Sequence, residues 1–116
     1  MTLGDIVDEI FIDPRKLTHY ALNLNSLHGK HKAIVFQKVF NYNQNNHNHL
    51  LKQLQNKALK SETFFHSKDK YGSRYTVDID IEGINKQKGT VRTGWIITKN
   101  SNQARLATIY VLKEKK

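Results

Sequence analysis

Arg74-Tyr75-Thr76-Val77-Asp78-Ile79-Asp80-Ile81 is the stretch on which the fold turns. Tyr75, Val77, Ile79 and Ile81 alternate with Arg74, Thr76, Asp78 and Asp80, the period-2 pattern of a strand with one apolar and one polar face. Asp69-Lys70-Tyr71-Gly72 just before it is a turn signal, and Glu62–His66 before that is a short candidate strand. Downstream, a polar loop from Gly83 to Gly89 leads into a strand over Thr90–Thr98. Asn100-Ser101-Asn102 then turns into a last strand over Ala104–Leu112, with Ala107, Ile109 and Val111 opposite Leu106, Thr108 and Tyr110. Strands in this order, joined by short polar turns, predict an antiparallel meander.

Before residue 60 the apolar spacing is helical. Asp13-Pro14 is a helix start, with Asp as N-cap and Pro at the first helical position. Leu17, Tyr20, Ala21 and Leu24 then predict a short amphipathic helix from Pro14 to about Leu24. His28-Gly29 breaks it. A second helix runs from about Lys30 to Phe40 with Ala33, Phe36, Val39 and Phe40 on one side. The amides of Asn41 to Asn46 favour a turn, and a third helix spans roughly His47 to Leu59 on a stripe of Leu50, Leu51, Leu54 and Ala58. Helices first and strands last predict an α+β fold, with N-terminal helices packed on one face of a four-stranded antiparallel β-sheet. If those helices cover the Tyr75/Val77/Ile79 face, and Val91, Trp95 and Ile97 point the same way, the other face carries Arg74, Thr76, Asp78, Arg92, Thr108 and Tyr110. Residues 1–12 read as an acidic segment or linker, 13–112 as the domain, and 113–116 as a basic, solvated tail.

Length and charge bound the function. A chain of 116 residues makes one domain, and no window reaches the roughly 18 consecutive apolar residues of a membrane span. There is no cysteine, which excludes disulfide scaffolds and thiolate metal or redox sites. The start, Met1-Thr-Leu-Gly-Asp, lacks the basic and apolar regions of a secretory signal. Nineteen Lys and Arg against ten Asp and Glu give a net charge of +9. Residues 1–13 carry four acids and no base, so residues 14–116 hold all 19 bases against six acids. Such a field favours a polyanion, because neutralised phosphates release condensed counterions.

Two clusters suit phosphate. Gly29-Lys30-His31-Lys32-Ala33 gathers cations and free backbone N–H groups at a helix start, with His28 beside it. Arg92-Thr93-Gly94-Trp95 puts a guanidinium on a central strand, where its fork matches phosphate oxygens. His47 and His49 lie two apart, a spacing that fits a polar helix entry better than a zinc site. His19 and His66 stand alone and carry no signal. Asp78, Asp80 and Glu82 suit a solvated strand edge rather than two-metal catalysis, and neither a Gly-rich phosphate loop nor a nucleophile elbow is present. Metal-free RNA cleavage is the enzymatic option left. It needs a base, an acid and cations on the scissile phosphate, and neither metal nor cofactor.

Five blocks together carry a family resemblance: Asp13-Pro14-Arg15-Lys16-Leu17, Gly29-Lys30-His31-Lys32-Ala33-x-x-Phe36, Tyr71-Gly72-x-Arg74-Tyr75-x-Val77-Asp78, Val91-Arg92-Thr93-Gly94-Trp95-Ile96 and Arg105-Leu106-x-Thr108-x-Tyr110. Over roughly residues 12–112 the chain resembles a C-terminal toxin domain of bacterial polymorphic toxins, the tips of contact-dependent inhibition and Rhs-type effectors. The resemblance implies a ribonuclease fold of the barnase/EndoU/colicin/RelE type that cuts RNA, often tRNA, without metal. It further implies a larger N-terminal delivery polypeptide, action in the target-cell cytoplasm, and neutralisation by a cognate acidic immunity protein. One departure is Gly83-Ile84-Asn85-Lys86, which lacks the proline of the relatives' Gly-Pro-Asn-Gly-like turn. On this reading His31 is the general base or acid, Lys32 and Arg92 stabilise phosphate charge, and Thr108 and Tyr110 position it. Lys30, Arg74, Thr76, Thr93 and Arg105 are the expected RNA contacts. Two other readings remain: a non-catalytic nucleic-acid-binding module and a basic protein-interaction domain.

Overall fold

The computed structural model describes residues 1–114, with side chains to Leu112. Its strands are β1 (Glu9–Phe11), β2 (Thr63–Asp69), β3 (Gly72–Glu82), β4 (Lys88–Thr98) and β5 (Gln103–Glu114), in the sheet order β1-β5-β4-β3-β2. Two helices, α1 (Lys30–Phe40) and α2 (His47–Lys57), lie across one face. The α+β class is as expected, but the sheet has five strands and is mixed. Residues 1–12, read from sequence as an acidic segment or linker, supply the extra one: β1 pairs parallel with β5 through Glu9↔Gln103, Ile10↔Ala104 and Phe11↔Arg105. Leu3, Val7 and Ile12 from the same segment are buried in the core. Asp5, Asp8 and Glu9 masked that apolar spacing in the sequence, because they face solvent while Leu3, Val7 and Ile12 turn in.

β3 forms as its alternation predicts. Val77, Ile79 and Ile81 are buried, and across the antiparallel ladders they meet Val91, Thr93, Trp95 and Ile109. Onto this layer α1 presents Ala33, Phe36, Val39 and Phe40, and α2 presents Leu50 and Leu54, at the spacing read from sequence. Burying each of these large side chains stabilises the fold by about 1.5–3 kcal/mol. Trp95 is sealed without losing a hydrogen bond: its Nε1 donates to Thr93 Oγ1 at 2.7 Å, and that hydroxyl donates to the Val77 carbonyl at 2.6 Å.

Several boundaries move for local reasons. The segment expected to be a helix from Pro14 to Leu24 is a π-helical turn, Lys16–Ala21, with the Leu22 N–H bonded to the Leu17 carbonyl at 2.8 Å. Asn23 ends it early by accepting the Asn25 N–H at 2.9 Å, an Asx turn that competes with helix. Tyr20 and Leu24 are consequently exposed, while Leu17, Ala21 and Leu22 are buried. α2 tightens into a 3-10 turn at Ala58–Lys60. β2 runs past His66 to Asp69, and β5 continues through Glu114, so the tail expected from residue 113 begins as strand; Lys115 and Lys116 lie outside the described residues.

α2 is tied to the end of β3 by a polar knot. Gln53 Oε1 accepts the Glu82 N–H at 2.9 Å, and its Nε2 donates to the Glu82 carbonyl at 2.7 Å. Tyr42 donates to the same carbonyl at 2.7 Å and lies 2.7 Å from His49 Nδ1. Burial pushes the Tyr42 hydroxyl up to about 12, so it stays neutral. His47 Nδ1 lies 2.9 Å from the Gln44 carbonyl. Both imidazoles read above as a polar helix entry are therefore engaged in holding the fold.

Candidate functional site

The face away from the helices is organised in cross-strand rows. Asp78, Arg92 and Tyr110 stand side by side on β3, β4 and β5, and Thr76, Gly94 and Thr108 form the next row. Opposite residues on neighbouring strands project from the same face, so strand order alone brings three distant stretches together. Between these rows lies a groove of about 390 Å³ lined by His66, Arg74, Thr76, Arg92, Thr108 and Tyr110 among others.

Two β-bulges shape it. On β5 the register passes from Gly94↔Thr108 to Trp95↔Leu106, leaving Ala107 as the extra residue. This returns Leu106, expected on the open face, to the core, where it is 4% exposed. Thr108 keeps its hydroxyl on the groove, over Gly94; a Cβ at position 94 would collide with Thr108 Oγ1. Glycine there leaves that hydroxyl its place through this close approach, not through its own dihedrals. On β2 the register passes from Phe65↔Tyr75 to Ser67↔Arg74, so His66 is the extra residue. A bulge breaks the alternation and re-aims a side chain, and this one puts an exposed imidazole on the groove, with Nδ1 2.9 Å from Ser67 Oγ.

The guanidiniums are oriented by carboxylates. Arg92 Nε and Nη2 donate to Asp78 Oδ1 and Oδ2 at 2.9 and 3.0 Å, a bidentate pair. Asp78 above all, and the Tyr110 hydroxyl after it, hold Arg92 charged well above its ordinary range. Arg74 Nε sits 3.2 Å from Asp69 Oδ2. An arginine has five N–H donors, so each fork keeps groups beyond these bonds.

A second cavity of about 220 Å³ adjoins the first across Ala107 and Thr108. Lys16, Tyr20, His28, Gly29 and Lys32 line it from the helical side. Gly29 permits this junction, since a Cβ there would strike the Tyr20 carbonyl. Lys32 bridges the two cavities, with Nζ 5.8 Å from the centre of the Tyr110 ring.

Of the residues singled out from sequence, Arg74, Thr76, Arg92, Thr108 and Tyr110 converge on the main groove, and Lys32 stands at its edge. The others do not. His31 is exposed and lines neither cavity, because one residue along a helix turns about 100° from Lys32. Lys30 is likewise exposed on the first turn of α1 and outside both. Arg105 stacks 5.0 Å from the centre of the Phe11 ring at the β1 side of the sheet. Thr93 borders the groove but is fully buried, its hydroxyl engaged by Trp95 and Val77 and so not offered to a ligand. Sequence reasoning missed His66, whose signal was only a lapse in alternation, and the pairing of Asp78 with Arg92, which depends on register.

No curated protein sequence matches the chain. Among solved structures it is similar to a chain in the complex of a contact-dependent growth inhibition toxin with its immunity protein from Klebsiella pneumoniae 342. That likeness has a TM-score of 0.64 at 17% identity and covers 96% of this chain and 97% of the other, so the whole fold is shared. A family model matches residues 2–113, from the strand-bearing N-terminal segment to the end of the sheet, and on that match the chain belongs to DUF6883, a domain of unknown function.

Proposed function

We propose that this chain is the toxin of a bacterial toxin–immunity system, and that it is a metal-independent endoribonuclease acting in the open-face groove on RNA, with tRNA the substrate class its family resemblance implies. One observation carries the reading: an imidazole, two guanidiniums and the hydroxyls of Thr76, Thr108 and Tyr110, from four strands, meet in one uncovered groove. The net charge of +9 supports a polyanionic substrate. Likeness to a member of a toxin–immunity complex supports the system, and the basic charge supports the toxin role over that of an acidic antidote. An acidic immunity protein would neutralise the chain by covering this groove, and delivery would come from a larger polypeptide that carries the domain into the target-cell cytoplasm.

In the reaction, His66 takes the proton from a ribose 2′-hydroxyl as its oxygen attacks phosphorus. The P–O5′ bond breaks, and Tyr110 returns a proton to the departing oxygen. Arg92, steered by Asp78, stabilises the charge that grows on the phosphorane oxygens, with Lys32 at the rim. Thr108 positions the phosphate, and Arg74 and Thr76 hold the flanking strand.

Incubating the purified chain with labelled total RNA and tRNA, with and without EDTA, tests this. Cleavage should persist in EDTA, fall by about 10²-fold in His66→Ala, and be unchanged in His31→Ala. Salt-steep binding without cleavage products would leave only a nucleic-acid-binding module; no RNA binding at low salt would leave a protein-interaction domain.

A further inference from the structure

The cavity between the helical side and β5 shares Lys32 and Thr108 with the reaction above, but two other residues on its wall, Lys16 and His28, have no part in it. Lys16 comes from the π-helical turn, His28 from the loop before α1, Lys32 from the first turn of α1, and Thr108 from the β5 bulge. Three cation-forming side chains from three elements face about 220 Å³ of open space. Among the described residues neither lysine makes an ion pair; the carboxylate beside Lys16, Asp13, is held instead by Arg15 at 2.7 Å. Two lysines on one cavity, with the neighbouring carboxylate already taken by Arg15, present positive charge that an anion would stabilise. π-helical turns also concentrate at functional sites.

Continuity with the main groove identifies the anion. Both cavities share Ala107 and Thr108, so a strand with one phosphate against Arg92 meets the second cavity at its neighbouring phosphate. We infer that the Lys16/His28/Lys32 cavity is a second phosphate subsite, which holds the phosphodiester next to the scissile one and makes a polynucleotide, not a dinucleotide, the preferred substrate. This rests on the proposed RNA-cleaving role of the groove. Tyr20, half-exposed on the same wall, offers its ring to the intervening base.

Binding of fluorescent 2′-O-methyl oligoribonucleotides tests the subsite separately from catalysis, because they lack the nucleophile. A probe with a single phosphodiester and a six-nucleotide probe are titrated against a salt series. Lys16→Gln/His28→Gln should reduce the salt-dependence slope for the longer probe by about 0.7, the share of one phosphate on a single strand. It should leave binding of the single-phosphate probe unchanged, and Lys16→Arg should keep the wild-type slope. His31→Gln/Lys38→Gln, which makes the same replacements at exposed sites on α1 outside both cavities, should leave the slope as it was. An equal change in that control pair, or equal loss with both probes, would overturn the subsite, as would failure of the wild-type chain to bind the longer probe. If the slope behaves as expected but natural RNA stays intact, the subsite stands and the ribonuclease reading falls.

Discussion

Gly94→Ala separates the chemistry of the groove from the stability of the sheet. The added Cβ would fall within contact distance of Thr108 Oγ1, while Thr108 Cβ, at 3.7 Å, is an ordinary neighbour. Only the Thr108 hydroxyl must move, by rotation to a poorer rotamer at a cost of about 0.5–1.5 kcal/mol. Against this, alanine reduces the conformational freedom of the unfolded chain by about 0.4–1 kcal/mol at a position with no left-handed backbone. The two effects nearly cancel. Stability should stay within about 1 kcal/mol, a shift in Tm of roughly 4 °C or less. Cleavage should fall about tenfold, which corresponds to ~1.4 kcal/mol of transition-state stabilisation. Thr108→Ala should lose a similar amount, and the double variant should be no worse than either alone, since both remove the same hydroxyl. Thermal melts and initial rates on a labelled tRNA give all four corners of the cycle. Additive losses, or full activity in Gly94→Ala, would refute the assignment of Thr108 to phosphate positioning.

Arg92→Ala should lower the cleavage rate about 10²-fold while costing no more than about 1 kcal/mol in a urea melt, because the Arg92–Asp78 pair is partly solvated, with side chains 40% and 27% exposed. Tyr42→Phe should destabilise the chain by about 1–2 kcal/mol in the same melt with cleavage unchanged below the transition, since its hydroxyl serves the α2–β3 knot on the helix side. Asp13, held down to about 2 by hydrogen bonds from Arg15, binds its proton more weakly folded than unfolded. Its contribution is complete above its ordinary value of 3.8 and is lost as pH falls toward 2, so Asp13→Asn should flatten the dependence of Tm on pH across that window.

Local pattern made much of the scaffold legible. α1 was readable to the residue because Ala33, Phe36, Val39 and Phe40 recur at helical spacing between a glycine and an asparagine, and Asn41 ends the helix in the left-handed conformation. The π-helical turn was not, because its early end is decided by the Asn23 side chain competing for backbone N–H groups. β1 was hidden for a different reason: three residues, the first of them an acid, carry no usable period, and their strand exists only because the β5 edge is there to pair with.

The candidate site divides along the same line. Polar alternation in β3, an arginine on a central strand, and hydroxyls spaced by two in β5 placed Arg74, Thr76, Arg92, Thr108 and Tyr110 on one face, since side chains of a strand alternate whatever the partner. Three-dimensional packing had to settle the rest. His66 enters and Leu106 leaves the open face because each bulge shifts the phase by one residue. His31 and Lys32, adjacent in sequence, part company because a helix turns a side chain away with every residue, and only docking of α1 beside β5 picks the one that meets Tyr110. Periodicity lies within a segment and is written in the chain; which imidazole reaches a phosphate depends on register between segments, and tertiary contact sets that.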